Sequence, residues 1–465
     1  MPDLATADRF LRALARLVLK VFFREVEVVG VERIPRDPRD HPLVLVANHV
    51  NGLIDPLLLL GPLPLTPRFL GKSTLWKLVF LRPFLNLAGA IPVYRRQDFV
   101  ADTAGSADSS DMRRNLESFD LSHDLLARGG TLALFPEGTS HSDPSLKPLK
   151  TGAARIVLEA EQKFPGLGIR IVPVGLLFDA KQTFRSRALV QVGEPIDPAP
   201  EIAQAAHEPV AAFRSLTGRI DEALKDVTLN YATWEDARLA ARAADLYRSR
   251  HPEAPGRGRL SESVAVRHLL LDGYRDLRDR HPERIAAVVE AVREYDALLH
   301  AFHLRDDQVG AAYRLSPAVR FVARSLVRML LHLPVALVGA VLTWPVYRLV
   351  GAIVKRATKD PDQVATYKVL GAILLFPLAW IAEGVIAGIY SRGWIGAALA
   401  LTAPFTAYSA LLFNDQRFAF WRESRAYLLL RTRRRLAAEL KEKRENVLRQ
   451  VEDLARLREA EEQPR

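Results

Sequence analysis

The chain has 465 residues and no cysteine. That excludes disulfides, cysteine-ligated metal sites and a thiol nucleophile. Internal repeats are absent, as are a nucleic-acid-binding motif and a serine-centred nucleophile elbow. No secretory leader is expected at the start, because Arg12, Arg16 and Lys20 interrupt the first apolar stretch. Their spacing of four puts those cations on one helical face, with Phe10, Leu14, Leu17, Val18, Val21 and Phe22 around the rest. Residues 1–24 therefore read as an amphipathic helix lying in a membrane interface, its cations toward anionic head groups.

What is present is an odd pairing of charge and apolarity. Charged residues make up 26%, yet mean hydropathy is +0.01, so the apolar residues must be segregated. They gather in 329–413, in segments at 329–350, 369–390 and 393–413. The last two reach the roughly 20 residues that a spanning helix needs. Pro334 and the pair Trp344–Pro345 interrupt the first. Basic residues flank every segment: Arg320, Arg324 and Arg328, then Lys355, Arg356, Lys359 and Lys368, then Arg417, Arg422, Arg425, Arg431, Arg433, Arg434 and Arg435. The positive-inside rule places all three flanks in the cytoplasm. The expectation is a re-entrant or interfacial first segment, one spanning hairpin and a basic cytoplasmic helical tail at 414–465 with near-heptad apolar positions suited to a short coiled coil. The excess of +11 beside apolar segments points to anionic lipid rather than nucleic acid as partner.

From residue 25 to about 200 the pattern changes to short apolar runs bounded by turns. Runs at 43–47, 131–135, 169–174 and 188–192 read as strands, apolar on consecutive positions, as in a sheet buried on both faces. Stretches 113–127 and 153–163 read as helices, and the polar run 97–111 as a loop. The fold class is α/β, a largely parallel mixed sheet flanked by helices. An all-helical region at 201–328 follows, broken near 251–259 and without an interpretable motif, and then the C-terminal membrane helices.

Four constellations within the α/β region carry chemistry. Asn48-His49-Val50-Asn51-Gly52-Leu53-Ile54-Asp55-Pro56 follows directly on a strand, at the sheet edge where α/β proteins place ligands. An Asp on the same short loop can fix the tautomer of a His that takes a proton from a hydroxyl, although a helix cap has the same composition. Gly89-Ala90-Ile91-Pro92-Val93-Tyr94-Arg95-Arg96 ends in two guanidinium groups suited to phosphate. Phe135-Pro136-Glu137-Gly138-Thr139-Ser140 follows another strand; Gly138 allows close backbone approach, and Lys150 stands just before the next helix. Ile171-Val172-Pro173-Val174 is a strand with an internal proline, which belongs at an edge or irregularity.

In this order the four resemble the glycerolipid acyltransferases of the 1-acyl-glycerol-3-phosphate acyltransferase superfamily, with its NH…D, G-x-[IF]-x-[IV]-x-R, FPEGT-[RS] and [IV]-[IV]-P-[IV] motifs. Five residues separate His49 from Asp55, where the family usually has four. The form NHxNxxxDP resembles the yeast-type glycerol-3-phosphate/dihydroxyacetone-phosphate acyltransferases, which also carry C-terminal membrane segments. The resemblance implies that His49 is the general base and Asp55 orients it. It further implies that Arg95, Glu137, Gly138, Thr139 and Lys150 bind glycerol phosphate and that Pro173 lines the acyl-donor site.

The implied reaction moves an acyl group from acyl-CoA or acyl carrier protein to glycerol-3-phosphate or 1-acyl-glycerol-3-phosphate. No metal or other cofactor is expected, and the catalytic domain would face the cytoplasm. Lysophospholipid remodelling and a non-catalytic lipid-binding membrane protein are the alternatives. Arg95 and Lys150 suit a phosphate monoester better than a capped diester, and the intact His49 and Asp55 speak for catalysis.

Overall fold

The computed structural model describes residues 4–35, 41–79, 81–94, 107–181, 183–250, 259–310, 315–357 and 364–462. The chain divides into two compact units, the first centred on Met1–Ala232 and the second built from Thr233–Lys359 and Tyr367–Arg465.

The first unit runs α1 (Leu4–Phe22), β1 (Phe23–Val29), β2 (Leu43–Ala47), α2 (Ile54–Leu60), β3 (Arg68–Lys72), α3 (Arg82–Leu87), β4 (Ile91–Val93), α4 (Ala107–Ala127), β5 (Thr131–Leu134), α5 (Gly152–Lys163), β6 (Arg170–Phe178), β7 (Ser186–Val192), α6 (Ala199–Ala205) and α7 (Pro209–Val227). The strands form one seven-stranded sheet in the order β1-β7-β6-β2-β5-β3-β4. All pairings are parallel except β6 with β7, so the expected largely parallel mixed sheet is present.

Central β2 is wholly buried because its five residues are all apolar. The sequence pattern concealed β1, β3 and β4. Two of these are edge strands, β1 carrying Arg24, Glu25 and Glu27 and β4 only three residues long, and β3 is capped by Arg68 and Lys72. Charges and brevity are what protect a sheet edge, and they erase the apolar signal. Of the expected 97–111 loop, residues 97–106 lie outside the described residues, while 107–111 already belong to α4. The break near 251–259 likewise falls almost wholly outside them.

The α/β unit extends past the expected boundary at 200. Ala212, Leu216, Ile220, Leu224 and Val227 of α7, spaced by three or four, close over Val44, Ile156 and Ile171 in the main core. The separate helical region therefore starts after Ala232.

Helix α1 is amphipathic as expected, but two of its cations are turned to the protein. Arg12 Nη2 donates to the Leu63 carbonyl at 2.7 Å and Arg16 Nε to that of Gly61 at 2.8 Å, at the C-terminal end of α2. Cations are stabilised there by the helix dipole. Phe10, Leu17 and Val21 form an exposed apolar stripe instead.

On α4, His123 is buried between Glu159 at 3.9 Å and Asp120 at 4.0 Å, and neither ring nitrogen has a hydrogen-bond partner among the described residues. Burial pushes the imidazole below its usual range. The folded state thus favours neutral His123, whereas the unfolded chain takes up the proton more readily. Stability from this site is present above the unfolded value of about 6.5 and is lost as pH falls below it. His123→Leu should stabilise the protein by about 1 kcal/mol and blunt its loss of melting temperature between pH 7 and 5. Thermal denaturation at the two pH values checks this.

The second unit is helical: α8 (Trp234–Arg250), α9 (Leu260–Arg278), α10 (Pro282–Phe302), α11 (Asp306–Gly310), α12 (Leu315–Ala357), α13 (Val364–Tyr390), α14 (Gly393–Thr432) and α15 (Arg434–Glu462). The near-heptad residues of the tail do not await a partner chain. Leu440, Val447 and Val451 of α15 are buried against Leu239, Leu246, Val292 and Leu299 of α8 and α10. Arg444 adds a buried ion pair to Asp306, which also accepts from the Tyr295 hydroxyl.

Among the described residues, three helices are long and apolar enough to cross a membrane: Val322–Arg356, Tyr367–Tyr390 and Gly393–Thr432. The first contains the segment expected to be re-entrant or interfacial, and that segment is part of a single helix. α12 continues unbroken for 43 residues through Pro334 and Pro345. Proline in apolar surroundings bends a helix without reversing it, since abandoning the remaining backbone bonds would cost more. Glycine brings these helices together. A Cβ on Gly339 would lie 1.9 Å from the Thr406 carbonyl oxygen, and one on Gly396 would lie 2.2 Å from that of Gly384. Such small-residue contacts hold helices in lipid. Gly339→Val should cost about 3 kcal/mol, seen as a lower melting temperature of the detergent-solubilised protein.

Candidate active site

The site is assembled at the carboxyl ends of β2 and β5, which pair directly. Beyond β2, Asn48 extends the ladder with its side chain: Nδ2 donates to the Leu176 carbonyl at 3.0 Å, and Oδ1 accepts the Leu176 N–H at 2.7 Å. This buried amide fixes where the next residue leaves the sheet, and nothing but its place in the motif hinted at such a role.

His49 follows, its ring stacked on Phe135 with centroids 4.1 Å apart. Its Nδ1 lies 2.9 Å from Asp55 Oδ2. That oxygen also accepts the N–H groups of Val50 and Asn51, each at 2.8 Å. Asp55 is fully buried, so its carboxylate is stabilised by these donors rather than by water. With Nδ1–H donating to the carboxylate, Nε2 is the nitrogen left to accept a proton. The side chain of His49 is 16% exposed, enough to meet a substrate. Among the five residues between His49 and Asp55, Gly52 has a φ of 46°, in the left-handed region. The unusual spacing leaves the His–Asp contact intact.

Glu137 is brought to this centre as well. It is buried, and both oxygens are engaged by the protein itself. Oε1 accepts the His49 N–H at 2.7 Å, while Oε2 accepts the Lys147 N–H at 2.9 Å and contacts His141 Nε2. Glu137 thus holds the His49 backbone through Oε1 and the following loop through Oε2. His141, unsignalled by any motif, closes the arrangement by donating its backbone N–H to the His49 carbonyl at 3.1 Å.

Gly138, Thr139 and Lys150 do converge. Gly138 has a φ of 73°, and a Cβ there would lie 2.8 Å from Lys150 Nζ, so the lysine crosses directly over the glycine. Thr139 and Lys150 are exposed. Gly152, at the start of α5, has open space where a side chain would stand. A backbone turn, an ammonium and a helix N-terminus thus meet at one surface, an arrangement that suits an anion.

Pro173 lies apart from these residues in the chain. It sits in β6, an interior strand, buried where β7 peels away, and a Cβ on Gly193 would meet its ring at 2.9 Å. The irregularity expected of a strand proline is there, and the ring packs against Gly193. Arg95 lies outside the described residues. Among the described residues no cluster of His, Asp and Glu with metal-holding geometry occurs.

Two family models match the chain: "Acyltransferase" over residues 25–177 and "Glycerol-3-phosphate acyltransferase 2 C-terminal domain" over residues 240–459. An uncharacterized acyltransferase of Schizosaccharomyces pombe is 25% identical over an alignment covering 94% of this chain and 79% of that protein. Glycerol-3-phosphate O-acyltransferase 2 of Saccharomyces cerevisiae is 27% identical, over 64% of this chain and 42% of its own length. The chain thus matches less than half of that yeast relative. A crystal structure of a 1-acyl-sn-glycerophosphate acyltransferase from Thermotoga maritima covers 49% of this chain and 82% of its own, at 20% identity and a TM-score of 0.35.

Proposed function

Because the chain belongs to the glycerolipid acyltransferase superfamily, in its yeast-type glycerol-3-phosphate acyltransferase subgroup, we propose that it acylates a hydroxyl of glycerol-3-phosphate from a thioester donor. The observation that carries the mechanism is the 2.9 Å contact between His49 Nδ1 and a fully buried Asp55. The acceptor hydroxyl attacks the thioester carbonyl as His49 Nε2 takes its proton. The C–S bond then breaks, and the imidazolium returns the proton to the leaving thiolate. Asp55 holds the tautomer and stabilises the transient positive charge. Lys150, the Gly138–Ser140 turn and the start of α5 receive the phosphate, which places the hydroxyl at His49.

The second family model favours glycerol-3-phosphate over its 1-acyl derivative, since it covers residues 240–459, outside the part shared with acyltransferases in general. Purified protein in detergent, given labelled acyl-CoA or acyl carrier protein, should acylate glycerol-3-phosphate in preference to 1-acyl-glycerol-3-phosphate. Incorporation into neither acceptor from either donor overturns the proposal.

The protein would act as a membrane enzyme with its catalytic unit in the cytoplasm. The core of the second unit supports an even number of crossings, because it combines α8 and α10, which precede the apolar helices, with α15, which follows them. One water-facing bundle cannot be shared across a bilayer, so two of the three candidate helices cross fully. The cysteine-free chain makes the check clean. Single cysteines at Arg284 and Lys441 should be labelled by an impermeant reagent from the same face, and labelling from opposite faces would sink the topology. The stripe of Phe10, Leu17 and Val21 on α1 would rest in the same interface.

A further inference from the structure

Lys181 stands in the connection between β6 and β7, outside every motif that pointed to chemistry. Its ammonium donates to three oxygens: the Val50 carbonyl at 3.1 Å, the His141 carbonyl at 3.2 Å and Ser142 Oγ at 2.8 Å. Its own carbonyl accepts from Asn51 Nδ2 at 3.3 Å. Three chain segments therefore meet on one lysine: the loop of His49, the loop following Glu137 and the β6–β7 connection.

We propose that Lys181 is a positioning residue for acyl transfer, acting on Asp55 and His49 through the peptide between Val50 and Asn51. A planar peptide moves as a unit. The Val50 carbonyl and the Asn51 N–H are opposite edges of one such plane. Lys181 holds the first edge, and Asp55 Oδ2 receives the second at 2.8 Å. The preceding peptide is held in the same fashion. His141 N–H binds the His49 carbonyl, and the Val50 N–H binds Asp55 Oδ2. Both planes that feed the carboxylate are thus locked from their far edges, and the carboxylate in turn sets the imidazole.

An ammonium fits this task because it offers three protons in three directions, whereas a guanidinium offers a flat fork. With its protons directed at carbonyls and a hydroxyl, Lys181 serves the protein's own loops rather than a substrate phosphate.

The inference rests on the acyl-transfer reading above, and its test separates the two. Lys181→Met in the full chain should lower kcat by roughly 30- to 100-fold, as misplacement by about 1 Å does, with KM for glycerol-3-phosphate changed less than about threefold. Ethylamine should restore part of the activity of Lys181→Ala, which a collapsed site would not allow. A raised KM with kcat intact would instead make Lys181 a phosphate ligand and overturn the assignment, as would wild-type kinetics. If Lys181→Met does not fold, Ser142→Ala decides. It removes one of the three acceptors and should give a smaller kcat loss at constant KM, while unchanged kcat refutes the role. A readout independent of turnover is the carbon resonance of His49 Cε1, assigned by its loss in His49→Gln. It should move in Lys181→Met even if the wild type acylates neither glycerol phosphate, and an unmoved resonance overturns the inference.

Discussion

Replacing His49 by alanine is expected to lower kcat by on the order of 10⁴-fold without unfolding the protein, and replacing Asp55 by asparagine by on the order of 10²- to 10³-fold. The two differ because the atoms they remove differ. Among the described residues of the centre, His49 is the side chain with an unshared basic nitrogen, while Glu137 is held on both oxygens and Asp55 lies wholly below the surface. Its ring leans on Phe135 at the edge of the sheet, so truncation costs little packing.

Asparagine at 55 can keep its carbonyl oxygen where Oδ2 now accepts from Nδ1 of His49 and the N–H groups of Val50 and Asn51. The loop and the tautomer then survive, and what disappears is the negative charge facing the imidazolium. Steady-state kinetics with circular dichroism on both variants checks the order. Equal losses, or an active His49→Ala, would contradict a His–Asp base.

The sequence showed the centre of this site more clearly than its supports, for a physical reason. His49, Asp55 and the Gly138 turn are confined to short stretches between apolar runs, and local spacing reveals them. Strands β2, β5, β6 and β7 were visible because buried strands are apolar on consecutive positions. The supports depend on contacts far apart in the chain, and no spacing records those. Lys181 is 131 residues from Val50, and Asn48 is 128 from Leu176. The same limit hid the backbone donors of Glu137, since a carboxylate beside a glycine turn reads as a ligand for substrate and its spacing does not record what the protein itself donates. In the second unit, the scarcity of charge over long apolar runs located all three segments, but not that α12 runs through both prolines. Whether a proline kinks or ends a helix is decided by what surrounds it, which the local sequence leaves open.

Glu137→Gln separates the two readings of that residue. If Glu137 touched the acceptor, the substitution would mainly raise KM. The geometry calls for a lower kcat and lower stability at nearly constant KM. Glutamine keeps one acceptor oxygen and replaces the other with an NH₂ donor. Placed at Oε1, the amide nitrogen would face the His49 N–H, donor against donor, and push the base off its position. Placed at Oε2, it would face the Lys147 N–H, and His141 could turn an acceptor nitrogen toward it only by giving up the bond its Nδ1 accepts from the Asp143 N–H. Either arrangement gives up a charge-assisted bond to a backbone donor. The loss should be about 1.5–3 kcal/mol of stability. A shift of His49 by a fraction of an ångström should lower kcat by roughly 10- to 100-fold. Melting temperature and the kcat-against-KM split on the same preparation decide the matter, because a residue that holds the base cannot be removed without moving it.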